Sequence, residues 1–130
     1  MTKQNKAVLY TTIGGMVIGS EETWQADNNL AMLNQIFDGA VDVVCLLPAM
    51  DGKLGIDFWL RDDAFATGQA LPYQIQYGDS YYGMVFLPAN ANAAIALQVD
   101  EEGNTFAMTQ EAAHEVMTTL VISPWNRGEE

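Results

Sequence analysis

Turn signals stand at short intervals along most of this chain, and the apolar stretches between them have the length and alternation of β-strands. Gly14-Gly15, Pro48 with Asp51-Gly52, Gly78-Asp79, Pro88 and the charged Asp100-Glu101-Glu102-Gly103-Asn104 each interrupt or follow such a stretch. Lys6 to Ile13 is rich in β-branched and aromatic residues, and Met16-Val17-Ile18 resumes the apolar pattern beyond the two glycines, which predicts a hairpin. Val41 to Leu47 is apolar apart from Asp42, the pattern of a central strand covered by a helix, and the lone Cys45 within it is expected to be buried. After Asp51-Gly52, residues 54–61 alternate, with Ile56, Phe58 and Leu60 on one side and Asp57, Trp59 and Arg61 on the other. Further strands are expected at 73–77, 82–87 and 95–99, with Asn90-Ala91-Asn92 as a loop.

Two segments have helical spacing instead. Asp27 or Asn28 can cap a helix carrying Leu30, Leu33, Ile36 and Phe37, with Gly39 placed for a left-handed cap. Thr109 can cap a second, with Ala112, Val116 and Leu120 on one face and Pro124 closing it. Asp62 or Asp63 can cap a single turn at 64–67, and the tail 126–130 is expected to fray. No repeat, linker or low-complexity tract divides the 130 residues. The expected fold is one α+β domain over 1–130, a mostly antiparallel sheet of about six to seven strands with two helices packed on it.

Charge narrows the partners. Asp and Glu number 17 against 5 Lys and Arg, a formal charge of -12 at pH 7. Such a surface repels nucleic-acid backbones and anionic lipid heads and attracts basic surfaces, so the expected partner is a protein with a basic face, not nucleic acid or a membrane. One cysteine excludes a disulfide within the chain. The start at Met1-Thr2-Lys3 is followed by only a short apolar stretch broken by threonines and glycines, so neither a leader nor a span is read there and the expected location is cytoplasmic.

Catalytic and cofactor chemistry finds little support. Gly14 to Ser20 has the glycine spacing of a phosphate loop without its lysine, and Glu21-Glu22 follow where they would repel phosphate. His114 is the only histidine and Cys45 is distant, so no soft metal set or triad can be assembled. Ser80 lies in Gly78-Asp79-Ser80-Tyr81-Tyr82-Gly83, whose glycines are misplaced for a nucleophile elbow. Glu21-Glu22, Asp62-Asp63 and Asp100-Glu101-Glu102 supply carboxylates, but none fits a calcium loop, and acids in turns usually serve solubility. The expectation is therefore no cofactor, no metal and no enzyme. The more suggestive group is Asp57, Trp59 and Arg61 on one strand face followed by Asp62-Asp63, an aromatic anchor with a polar rim. Its plainer reading places Trp59 beneath the second helix, with the charges at the sheet margin.

The order of elements resembles the small phage- and mobile-element-encoded proteins grouped as domain of unknown function three-eight-four-six. The resemblance runs over most of residues 8–87: Leu30-Ala31-Met32-Leu33-Asn34-Gln35-Ile36-Phe37-Asp38-Gly39 leading into Val41-Asp42-Val43-Val44, the strand after Asp51-Gly52-Lys53-Leu54, the segment 63–67, and Gly78-Asp79-Ser80-Tyr81-Tyr82-Gly83. It implies a role in host takeover or counter-defence and carries over no catalytic residue. Charge and resemblance together favour a non-enzymatic inhibitor of a host defence or nucleic-acid-processing protein, acting through an acidic, DNA-mimicking surface. Asp57, Trp59, Asp62, Asp63, Glu21 and Glu22 are its candidate contacts. The alternative is a binder of a nucleotide signal that uses tyrosines and Gly14-Gly15 in a pocket between sheet and helix, with homo-oligomer assembly gathering Lys53 and Arg61 from several chains.

Overall fold

The computed structural model describes residues 5–24, 29–37, 41–61 and 70–125. The expected caps at Asp27, Asn28 and Gly39, the helical turn at 62–67 and the tail at 126–130 lie outside these residues. Strands dominate and every strand pairing is antiparallel. They divide between two sheets, however, where one was expected. The larger is six-stranded, in the order β2 (Met16–Thr23), β1 (Lys6–Ile13), β7 (Ala91–Val99), β4 (Gly55–Arg61), β3 (Val41–Leu47), with the short β8 (Thr105–Phe106) also on β7. The smaller is three-stranded, β6 (Ser80–Pro88), β5 (Ala70–Tyr77), β9 (Leu120–Pro124). Helix α1 spans Asn29–Ile36 and α2 spans Gln110–Thr119.

Period-two alternation in the larger sheet sends side chains into two separate cores. Val8, Tyr10, Ile56, Phe58, Leu60, Ala94 and Ala96 face the smaller sheet and α2, meeting Tyr73, Ile75, Leu87, Ala113 and Val116. Ala7, Ile95 and Leu97 face the other way and are covered by Leu33 of α1, Phe37, Trp24 and Ala107. The molecule is thus layered, with α1 on one side of the larger sheet and the smaller sheet with α2 on the other.

The central strand is β7, not β3. Residues 93–97 of β7 are buried on both faces, whereas β3 is an edge strand that leaves Val43 and Leu47 each 42% exposed and Cys45 exposed. The run at 41–47 is apolar because Leu46 and Val44 enter one core and Val41 the other, and this two-sided packing mimics the pattern of an interior strand. In β7 the alanines serve contact across the strand. Ala94 pairs with Tyr10 and Ala96 with Phe58, and these small floors let the two rings from flanking strands meet edge-to-face, centroids 5.5 Å apart. The strand also starts at Ala91, inside the expected loop.

Tyrosine hydroxyls tie the sheets together. Tyr73 on β5 donates to the Gly15 carbonyl in the β1–β2 turn, and Tyr82 on β6 donates to the Leu46 carbonyl on β3. Helix α2 begins as expected, the Thr109 hydroxyl accepting from the Ala112 amide at 3.1 Å. Its end differs: the chain passes straight from α2 into β9 at Leu120, whose amide still reaches the Val116 carbonyl. Pro124 therefore ends a strand and not the helix.

Candidate functional site

Acidic residues are the sequence's main functional signal, and strand register determines which of them meet. Glu22 pairs with Ala7 on β1, Leu97 pairs with Asp57, and Asp57 pairs with Cys45, so Glu22 and Asp57 fall in one transverse row on the α1 side of the sheet. They are separated by the width of β1 and β7, roughly 14 Å at 4.8 Å per strand. Glu21, opposite Val8, projects to the other side of the sheet. Asp62 and Asp63 lie outside the described residues.

Asp57 and Trp59 do share a face, as the alternation predicts. Trp59 is half-buried and packs against the core that α1 closes, not beneath the second helix. Its indole Nε1 is buried without a hydrogen-bond partner. Burial pushes the Asp57 carboxyl above the usual range. The Cys45 thiol is likewise pushed up, first by burial and then by the Asp57 charge, against the opposing pull of the Leu47 backbone.

Among the described residues, the tightest gathering of acids is elsewhere. Because β4 pairs with β7, the turn before β4 and the turn after β7 lie at the same end of the sheet. Asp51, at φ 56, and Gly52, at φ 77, form the first turn between Met50 and Lys53. Asp100 builds the second: its carboxylate accepts from the amides of Glu102 and Asn104, both at 2.9 Å, and from the Asn104 side chain at 3.1 Å. These hydrogen bonds, the Asn104 amide foremost, hold the Asp100 carboxyl below its ordinary value. The two turns are joined where the Gly52 amide donates to Glu101 Oε2 at 2.8 Å. A shallow depression of about 260 Å³ lies between them, lined by Gly52, Lys53, Leu54, Asp100, Glu101 and Glu102.

Comparison with family models, curated proteins and solved structures returned no match.

Glu21 and Glu22, at the close of β2, and Asp57, near the start of β4, belong to this same end of the larger sheet, together with Lys6 and Lys53. The opposite end carries Ile13, Gly14, Gly15, Met16 and Asn90, with Asp42 and Arg61 on its far strands. Asp51 and the acids at 100–102 read as solvated turns in the sequence, and only strand order reveals that the turns adjoin.

A groove of about 470 Å³ lies on the other side of the sheet, between β1–β2, the end of α2 and β9. Tyr10, Val17, Gly19, Met117, Thr118 and Ile122 are among its walls, and among the described residues no Lys, Arg, Asp or Glu lines it. His114 is exposed on α2. Among the described residues no helix is long and apolar enough to cross a membrane.

Proposed function

We propose that the protein is a non-enzymatic binding protein of a phage or mobile element, whose acidic end occupies the basic, nucleic-acid-binding face of a host defence or nucleic-acid-processing protein. The observation that supports this reading is the junction of two acidic turns through Gly52 and Glu101, which gathers Asp51, Asp100, Glu101 and Glu102 at the end of the sheet that also bears Glu21, Glu22 and Asp57. Duplex DNA presents about one negative charge per 1.7 Å of axis, so an array of carboxylates competes for the same Lys and Arg side chains. Asp62 and Asp63, the other candidate contacts, lie outside the described residues and follow Arg61, which stands at the opposite end of the sheet, so they are not counted in this array; Trp59 supplies an apolar anchor on the face it shares with Asp57.

The test is competitive elution. Host proteins retained on immobilised duplex DNA are washed with the intact protein or with a variant carrying D51N, E101Q and E102Q. Each replacement keeps an oxygen acceptor, and Asn tolerates the left-handed backbone of Asp51. The wild type is expected to elute a discrete polypeptide at low salt, with the effect fading as ionic strength rises, and the variant to elute little. Elution of nothing by the wild type, or equal elution by both, overturns the reading.

A second reading, sequestration of a nucleotide signal, calls for a pocket between sheet and helix, and the groove occupies such a place. Among the described residues its lining offers no cation to a phosphate, which favours the first reading. A concentration-dependent rise in melting midpoint with cyclic or linear nucleotides would reverse that order.

A further inference from the structure

Unpaired strand edges invite other strands, and proteins commonly block them with charges, bulges or prolines. Apart from the two-residue β8, the described edges are β2 and β3 of the larger sheet and β6 and β9 of the smaller. Strand β2 carries Glu21 and Glu22; β3 carries Asp42 and a register shift at Cys45 and Leu47; β6 is bulged opposite Gln74 and Gln76, with Gly83 at φ 86. Strand β9 has no charge, and its register with β5 is unbroken from Leu120 to Pro124.

The hydrogen-bonding groups that β9 leaves open follow from the alternation of an antiparallel ladder. Trp125 donates to the Pro72 carbonyl at 3.1 Å, which places Trp125, Ser123 and Val121 in the pairs bonded to β5. The amide and carbonyl of Ile122 then point away from β5, beside the Leu120 carbonyl. The Leu120 amide is taken by Val116, and Pro124 has none. Ile122 and Leu120 line the groove already described, so this open edge is one of the groove's walls. The other walls suit an apolar strand: Val17 and Gly19 on β2, with Met117 on α2 at 40% exposure. Gly19 keeps its wall low, since a Cβ there would come within 2.8 Å of the Tyr10 ring.

Charge identifies the occupant. Glu21, two residues beyond Gly19 on the same strand face, borders a lining that is uncharged among the described residues. A second copy would bring another -12 against this end, whereas an extended segment with Lys or Arg at its ends would be attracted. We propose that β9 and its groove capture an extended segment of a partner protein by strand addition, the segment carrying apolar side chains at alternate positions and basic residues at its flanks. Glu21 is the one residue this site shares with the acidic end, and the turn-junction variant leaves it in place, so the inference can fail or hold apart from the proposed function.

A displayed library of random heptapeptides, panned against the protein, tests the inference, with Met117→Lys and the D51N/E101Q/E102Q variant as parallel targets. Enrichment of alternating apolar sequences with basic ends is expected on the wild type and on the triple variant but not on Met117→Lys, whose fold is checked by circular dichroism. The enriched peptide should slow exchange of the Ile122 amide by about tenfold or more, and N-methylation of its central amides should abolish that protection. Absence of patterned sequences, enrichment lost only with the triple variant, or an Ile122 amide already protected in a dimer of the free protein would each overturn it.

Discussion

Three tyrosine hydroxyls lie at or between the two sheets, and deleting them one at a time separates a hydroxyl that holds the layers together from one that only burdens the core. Tyr10 is 6% exposed and its hydroxyl oxygen is buried without a hydrogen-bond partner, and burial, assisted by nearby Tyr77, raises its pKa far above the ordinary tyrosine value. An unsatisfied buried hydroxyl costs about 1–3 kcal/mol. Tyr10→Phe removes that cost while keeping the ring over Gly19 and against Phe58. The gap left by one oxygen offsets part of the gain, leaving a net stabilisation of about 0.5–2 kcal/mol. Tyr73→Phe and Tyr82→Phe delete the same atom but strand the carbonyls of Gly15 and Leu46, so each should destabilise by about 1–2 kcal/mol. Urea denaturation at neutral pH reads all three, and an unchanged m-value confirms that midpoints report stability. At this chain length about 1 kcal/mol corresponds to roughly 3–5 °C in Tm. A loss from Tyr10→Phe as large as that from Tyr73→Phe would refute the argument, because the hydroxyl would then have to be satisfied.

Gly55→Ala should destabilise by about 3 kcal/mol or more, as a Cβ would lie 2.1 Å from the Leu47 carbonyl oxygen and 2.6 Å from the Ala49 amide; a melting midpoint within a degree or so of wild type would contradict it. Thr109→Ala should cost about 1 kcal/mol through loss of the cap on Ala112, visible in the same urea titration. For Asp57 the sign follows from a folded-state pKa above the unfolded one: ionisation in the fold is penalised, so the penalty is present at neutral pH and relieved as pH falls through the folded value. Asp57→Asn is therefore expected to stabilise at pH 7 and to make no difference below the unfolded aspartate pKa of about 3.9, and an effect of equal size at both pH values would count against it.

The hairpin at Gly14-Gly15, the alternation of β4 and the Thr109 cap were legible because each rests on local chemistry: positive φ, period-two burial, and a hydroxyl beside orphan amides. The sheet division was not. Strand β9 hides behind the helical spacing of Ala112, Val116 and Leu120, and no glycine marks the passage from helix to strand. The central place of β7 was masked by its alanines, which are poor strand formers and are favoured here only because rings from β1 and β4 close over them. The acidic junction depends on β4 pairing with β7, a contact between residues some forty apart in the chain, which no local pattern encodes.

Strand β7 forms a wall of both cores at once, since Ala94 and Ala96 belong to one and Ile95 and Leu97 to the other. Neither layer can peel away and leave its neighbour intact, because withdrawing the shared strand strips packing from the far side as well. The molecule should accordingly melt as a single cooperative unit, with the amides of β7 among the last to exchange and no half-folded species accumulating on the way.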